Sequence, residues 1–106
     1  MSNLVEKSIV NDVKKIIERG SIEEMQEFWL SITTEYEFDQ PIDFPWIIQK
    51  IFIHSCLHGK KDIAEWLRSI FDEMDEISKI AYKHSIHYGN VLLRKKVISS
   101  NILSQN

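Results

Sequence analysis

Hydrophobic residues recur at helical spacing along nearly the whole chain. The first segment with this pattern contains Ile9, Val13, Ile16 and Ile17. Residues three and four positions apart share one face of an α-helix, so each such run predicts an amphipathic helix. No segment alternates between hydrophobic and polar residues in the way that a half-buried strand does. The pattern therefore predicts an all-α fold of about six helices.

Breaks in the pattern divide these helices into pairs. The three glycines, Gly20, Gly59 and Gly89, are each expected to separate the two helices of one pair, because a glycine in the left-handed conformation ends helices. Ser21 is expected to cap the second helix of the first pair, and Asp43 and Asp75 are expected to cap the helices that open the second and third pairs. The predicted units span about residues 4-32, 44-71 and 75-103, with a loop at 33-43.

The third pair is predicted to contain the fifth and sixth helices. The fifth helix is expected to run from Glu76 to Tyr88 and to stop at Gly89, and Asn90 is expected to open the sixth. The fifth helix has hydrophobic and small residues at helical spacing, which are expected to face the core: Ile77, Ile80, Ala81 and Ser85.

The chain repeats part of its own sequence around two of the glycines. A His-Ser pair precedes Gly59 and Gly89 by the same distance, first as His54-Ser55 and then as His84-Ser85. After Gly59 the sequence Gly-Lys-Lys-Asp-Ile-Ala-Glu-Trp-Leu resembles the ankyrin family, whose repeats carry stretches of the kind Gly-His-Leu-Glu-Ile-Val-Lys-Trp-Leu. Ser55-Cys56 and Ser85-Ile86 stand where that family has a small, close-packing pair.

The resemblance implies a single domain, residues 1-106, of three stacked helix-turn-helix repeats that form a short α-solenoid and bind protein. The tryptophan-leucine ending is most similar to the divergent ankyrin proteins of large DNA viruses. That similarity implies a small adaptor that binds a host or viral protein, in the host cytoplasm or in the virion. The Thr-Pro-Leu-His signature of typical repeats is absent. A different six-helix hairpin bundle remains the alternative, since bundles also consist of helix pairs with short turns.

Charge and cysteine content narrow the classes of partner. The formal net charge is -3, and no segment carries the dense Lys/Arg stripe that binding to nucleic-acid phosphates requires. The longest apolar stretches fall far below the roughly 20 residues of a membrane span. Cys56 is the sole cysteine, so it forms no internal disulfide and is expected to be a buried small hydrophobe in a reducing compartment. The expected location is cytoplasmic.

Four histidines are the main candidates for chemistry. His54 and His58 stand four residues apart on one predicted helix, and His84 and His87 stand three apart on the neighbouring one, so the four imidazoles could converge on zinc. No carboxylate shares the pattern to orient a ring, and half-buried histidines bonded to backbone are the favoured interpretation. Neither a metal nor a cofactor is expected. No nucleophile-base pair or phosphate loop is evident, so no enzymatic activity is expected.

Protein binding is the function that this elimination leaves. The expected docking surface combines the first helices of each pair with aromatic and acidic residues of the 33-43 loop, and its candidate residues are Tyr36, Phe38, Asp39, His54, His58, His84 and His87. The alternative is a small structural subunit of a virion or another oligomeric assembly. In that case apolar residues such as Trp29 and Trp46 would be buried at contacts between subunits.

Overall fold

The fold was analysed in a computed structural model, which describes residues 4–34 and 41–104, with side chains as far as Lys96. It contains five α-helices: α1 (Leu4–Arg19), α2 (Ile22–Thr34), α3 (Phe44–Leu57), α4 (Lys61–Asp72) and α5 (Glu76–Ser104). Within these two ranges there is no strand. The all-α prediction is confirmed, but the described residues form five helices rather than the predicted six.

Helix starts follow the predicted capping residues. A side-chain oxygen accepts the backbone N–H three residues further on at three helix starts: Ser21 from Glu24 at 3.3 Å, Asp43 from Trp46 at 3.0 Å and Asp75 from Ser78 at 2.7 Å. Each bond pairs one of the N–H groups that the first turn of a helix leaves free. The starts of α2, α3 and α5 are therefore encoded locally.

The three glycines have three different conformational roles. Gly59 has a φ of 66° and ends α3 as predicted. Gly20 also follows a helix end, but the prediction of a left-handed conformation is wrong there, because Gly59 is the one glycine with positive φ in the described ranges. The N–H of Gly20 instead donates to the Ile16 carbonyl at 2.6 Å, which prolongs the helical bonding pattern by one residue.

The predicted break at Gly89 is wrong. α5 continues through Gly89 and Asn90 as one helix of 29 residues, so the sixth helix does not exist as a separate element. Gly89 is buried, and a Cβ at this position would lie 2.5 Å from Cε1 of Phe52 and 3.2 Å from Sγ of Cys56. The glycine is therefore required for close approach of α5 to α3, and it does not end the helix.

The inward face of α5 also differs from the prediction. Ile77 and Ile80 are 83% and 70% exposed, and Ala81 is exposed as well. The residues that face the rest of the protein lie on the opposite side of the helix: Tyr82, Ile86, Gly89 and Leu93. Both sides carry hydrophobic residues at helical spacing, so periodicity alone could not decide which side is buried.

α3 is the central helix of the fold. It contacts α1, α4 and α5, and further contacts join α1 to α2, α2 to α4 and α4 to α5. Its buried side chains form the middle of the core: Ile47, Ile48, Ile51, Phe52, Ser55 and Cys56. The Ser55 hydroxyl donates to the Ile51 carbonyl at 2.8 Å, so this polar group is paired inside the core. Cys56 is fully buried, as predicted.

α1, α3 and α5 run parallel in one row. At one end of the row, the Glu6 carboxylate of α1 accepts the backbone N–H of Asp43, and Asp43 also accepts the Tyr82 hydroxyl of α5 at 3.2 Å. At the other end, Glu18 of α1 reaches His54 of α3. The second helices, α2 and α4, contact each other beside this row. Two helix hairpins thus lie side by side, and α5 extends the row.

Candidate functional site

The seven residues predicted to bind a partner do not form one surface in the described part of the chain. Tyr36, Phe38 and Asp39 lie outside the described residues. His54 and His58 lie on α3, where they meet Glu18 of α1, whereas His84 and His87 are exposed on α5. The predicted groups therefore separate into a cluster between α1 and α3 and a surface on α5.

The Glu18–His54–His58 cluster lies at the carboxyl ends of α1 and α3. Oε1 of Glu18 lies 2.9 Å from Nε2 of His54 and 3.7 Å from Nε2 of His58. The two imidazole rings are 4.4 Å apart between centroids and tilted by 48°. One ligand atom from each of the three residues falls within 4.8 Å of the other two, and this is the one such group of three found among residues 4–34 and 41–96.

Burial controls the charge of His54. Loss of solvation lowers the pKa of His54, and the nearby His58 and Lys14 act in the same direction, while the hydrogen bond and the negative charge of Glu18 oppose them. A lowered pKa favours the neutral imidazole near neutral pH, the form that accepts a proton or binds a metal ion. The spacing of residues around these histidines did not indicate a carboxylate partner, because Glu18 comes from a different helix pair.

The outer face of α5 is the second candidate surface. We use this name for the side of α5 that points away from α3, formed by Ile77, Ile80, Ala81, His84 and Tyr88, all of which are exposed. Each of these residues has another of the set three or four positions away, so they form one stripe along the helix. Tyr88 is 54% exposed. A stripe of this kind on a helix at the surface is typical of a protein contact.

The outer face lies between charges of opposite sign. Asp75 and Glu76 stand at the start of α5, directly after Asp72 and Glu73 at the end of α4. Arg94, Lys95 and Lys96 are exposed beyond Tyr88. The stripe is therefore acidic at one end and basic at the other.

A cleft of about 420 Å³ lies between α3, α4 and α5. Phe52, Ala64 and Leu93 form its apolar part, and Arg68 and Arg94 line it with their polar groups. Cys56 does not line this cleft, and burial raises the pKa of its thiol to about 11, which leaves the reactive thiolate almost absent at neutral pH. The cleft carries no nucleophile-base arrangement in the described residues that line it.

Comparison with protein-family models, curated proteins and solved structures finds no match. The ankyrin resemblance therefore rests on the residues quoted above, and the viral and adaptor roles that it implies stay predictions. No described helix combines the length and the apolar character that crossing a membrane would need.

Proposed function

We propose that the protein is a non-catalytic protein-interaction module and that the outer face of α5 is its docking surface. The observation that carries this proposal is the exposure of Ile77, Ile80 and Tyr88 in one stripe, on the side of α5 opposite to its contact with α3. Scattered hydrophobic residues are ordinary at protein surfaces, but a continuous stripe on one helix is not. The docking surface is thus different from the loop-and-groove surface expected from the sequence.

The position of α5 in the row strengthens the argument. The parallel row α1–α3–α5, with α2 and α4 beside it, supports an ankyrin-like stack whose third unit has straightened into one helix. In such arrays the last unit needs a polar outer face, because no further unit covers it. α5 stands at one edge of the row in the described residues and carries an apolar stripe on its outer face. A stripe in this position favours another protein unit that covers it.

The occupant that we propose is a second copy of the chain. If two α5 helices pair antiparallel about a two-fold axis near His84, Ile80 of each copy meets Tyr88 of the other. The acidic start of each helix then meets the basic segment Arg94 to Lys96 of the other copy. A two-fold contact must be complementary to itself, and a helix with opposite charges at its two ends has this property.

The expected dimer is a weak and reversible one. A single helix-on-helix contact buries less than the roughly 1,200–2,000 Å² of a standard stable interface. We therefore expect monomer and dimer to exchange, with the dimer populated at micromolar or higher concentration. The alternative of a structural subunit in a larger assembly needs at least one further contact surface, because an antiparallel two-fold contact closes on itself.

Size-exclusion chromatography with light scattering across a concentration series tests this proposal. Wild-type protein is expected to move from the monomer mass of 12.5 kDa toward twice that value as its concentration rises. Ile80→Lys places a charge in the middle of the apolar stripe and is expected to hold the protein as a monomer. Leu30→Lys is the matched control, since Leu30 is 60% exposed on α2 and lies outside the outer face.

Wild-type protein that stays monomeric up to millimolar concentration would contradict self-association. Equal effects of Ile80→Lys and Leu30→Lys would show that the outer face of α5 is not the contact. A mass well above two chains would favour the structural-subunit alternative over the closed dimer.

A further inference from the structure

Glu18, His54 and His58 bring three potential metal ligands together from two helices. His54 and His58 lie one turn apart on α3, so both imidazoles project from the same side of the helix. Glu18 approaches from the last turn of α1, with Oε1 at 2.9 Å from Nε2 of His54 and at 3.7 Å from Nε2 of His58. The carboxylate oxygen therefore lies between the two rings.

These separations suit a tetrahedral metal ion. Zinc binds histidine nitrogen at 2.0–2.1 Å and carboxylate oxygen at 2.0–2.2 Å, which places neighbouring ligand atoms roughly 3.3–3.6 Å apart. The two contacts to Glu18 lie on either side of this range, and all three ligand atoms are within 4.8 Å of each other. Glu18 and His58 are about half exposed, so their side chains have room to adjust when an ion binds.

The surroundings favour a cation at this position. Glu18 lies in the last turn of α1, and His54 and His58 lie in the last turn and at the end of α3. The carboxyl end of a helix carries partial negative charge, so two helix ends contribute to the attraction. Lys14, whose charge reaches His54, opposes it. Glu18 offers a negative charge at much shorter range, in direct contact with the site.

We propose that Glu18, His54 and His58 bind a divalent first-row transition-metal ion, with Zn²⁺ as the ion to test first and water at the fourth position. Two histidines and one carboxylate are an established donor set for zinc and for other divalent ions of this row. His84 and His87 take no part. The site is independent of the docking surface proposed above, and the bound ion would join α1 to α3 across the two helix hairpins.

Binding of Zn²⁺ to the full chain, after treatment with a chelator, tests the proposal. Isothermal titration on dilute protein is expected to give one Zn²⁺ per chain, and saturating Zn²⁺ is expected to raise the melting temperature because the ion binds the folded state. Co²⁺ is expected to give the visible absorption bands of a tetrahedral site. Circular dichroism of the metal-free protein verifies that folding does not depend on the ion.

Two variants identify the ligands. His58 is 41% exposed and makes one long contact with Glu18, so His58→Ala is expected to fold. Its Zn²⁺ affinity is expected to fall at least about tenfold, because losing even a residue that only supports a metal ligand costs about that much. Glu18→Gln is expected to weaken binding similarly. His87→Ala, at an exposed histidine on α5, is the control and is expected to bind like wild type.

Three results would overturn the proposal. These are no binding of Zn²⁺ to the wild type in the titration, an unchanged affinity in folded His58→Ala, and an equal loss of affinity in His87→Ala. In each case the contact of Glu18 with His54 would be a structural hydrogen bond between α1 and α3 and nothing more.

Discussion

Gly59 and Gly89 follow similar sequences, but the two glycines have different physical roles in the structure. Gly59 has a positive φ, which a residue with a side chain adopts only at a cost, and it ends α3. Gly89 has ordinary helical geometry. Because it has no side chain, Phe52 and Cys56 of α3 can pack close to the α5 backbone. Both positions are glycine in the sequence, so the repeat alignment predicted the same role for Gly59 and Gly89.

Gly89→Ala is expected to destabilise the protein although alanine is the better helix former. Helix propensity favours alanine by about 1 kcal/mol, but overfilling a tightly packed core costs about 1–3 kcal/mol. The new methyl group would lie 2.5 Å from a carbon of the fully buried Phe52, which has little room to move. We therefore expect a net loss of about 1 kcal/mol in the free energy of unfolding, measured by urea denaturation.

Further variants test this explanation. The difference between Lys83→Ala and Lys83→Gly, at an exposed position of the same helix outside the outer face, reports propensity alone and is expected to be about 1 kcal/mol. Phe52→Leu, combined with Gly89→Ala, is expected to cost less than the sum of the two single variants, because the smaller side chain relieves the crowding. A stabilised Gly89→Ala protein would contradict the close approach of α5 to α3.

At the scale of the elements, local signals predicted the helix starts well and the last helix poorly. Ser21, Asp43 and Asp75 cap their helices because a cap needs only a side-chain oxygen near a free N–H, which a short stretch of sequence specifies. Which side of α5 is buried depends instead on its contact with α3. Both sides of α5 carry hydrophobic residues, so only the tertiary packing distinguishes Ile80 from Ile86.

The candidate sites were predictable to a similar, partial extent. The spacing of His54 and His58 correctly indicated two imidazoles on one side of a helix. Glu18 was missed because it comes from another helix pair, and the capping and solubility roles of acidic residues gave no reason to select it. One signal was present in the sequence: Glu18 and His58 both closely precede a glycine that follows a helix, so parallel stacking of α1 and α3 brings them to the same end.

Continuity of α5 can be measured as a distance between spin labels. In one helix, Cα atoms at positions 79 and 95 are separated by about 24 Å, from a rise of 1.5 Å per residue. A helix pair broken at Gly89 would bring them to roughly half that separation, because helices in a hairpin lie 8–10 Å apart. We expect labels at Lys79→Cys and Lys95→Cys, in a Cys56→Ala background, to report the long distance.

The labelled protein is mixed with an excess of unlabelled protein, so that the measured distance is between two labels on the same chain. A distance distribution centred near the short value would support the six-helix prediction instead, and with it the broken third repeat. Labels at 61 and 72, the two ends of α4, are a suitable control, since both arrangements contain that helix.

At the scale of the whole molecule, the protein is elongated, with extents of 53 × 29 × 22 Å. The Glu18–His54–His58 cluster lies between α1 and α3, and the outer face of α5 lies on the third helix of the row. Trp29, which the structural-subunit alternative placed at a contact between chains, is 9% exposed and packs edge-on against Phe44 at 5.6 Å, so it belongs to the core of one chain. Trp29 is thus not available for a contact between chains, and the dimer proposal rests on the apolar residues of α5.

Reversing a charge at one end of α5 tests whether the opposite charges at its two ends stabilise the proposed dimer. Antiparallel pairing places Lys95 of each copy close to the acidic start of α5 in the other, so Lys95→Glu turns two symmetric attractions into repulsions. Exposed ion pairs are worth up to about 1 kcal/mol each, and the dimer dissociation constant is expected to rise about 5- to 30-fold. Sedimentation equilibrium at low salt measures this change.

The double variant Glu76→Lys with Lys95→Glu restores opposite charges at the two ends and is expected to recover much of the wild-type affinity. Lys15→Glu changes the net charge of the chain by the same amount as Lys95→Glu but lies exposed on α1, with α3 between it and α5, so it is expected to change the dissociation constant much less than Lys95→Glu does. Raising the ionic strength is expected to reduce the difference in dissociation constant between Lys95→Glu and wild type, because salt screens charges. The effect of Ile80→Lys is expected to persist, because salt does not weaken apolar contacts.

A parallel pairing of the two helices predicts the opposite effect of Lys95→Glu. Parallel pairing would bring the basic segments of both copies together, so Lys95→Glu would reduce their repulsion and strengthen the dimer.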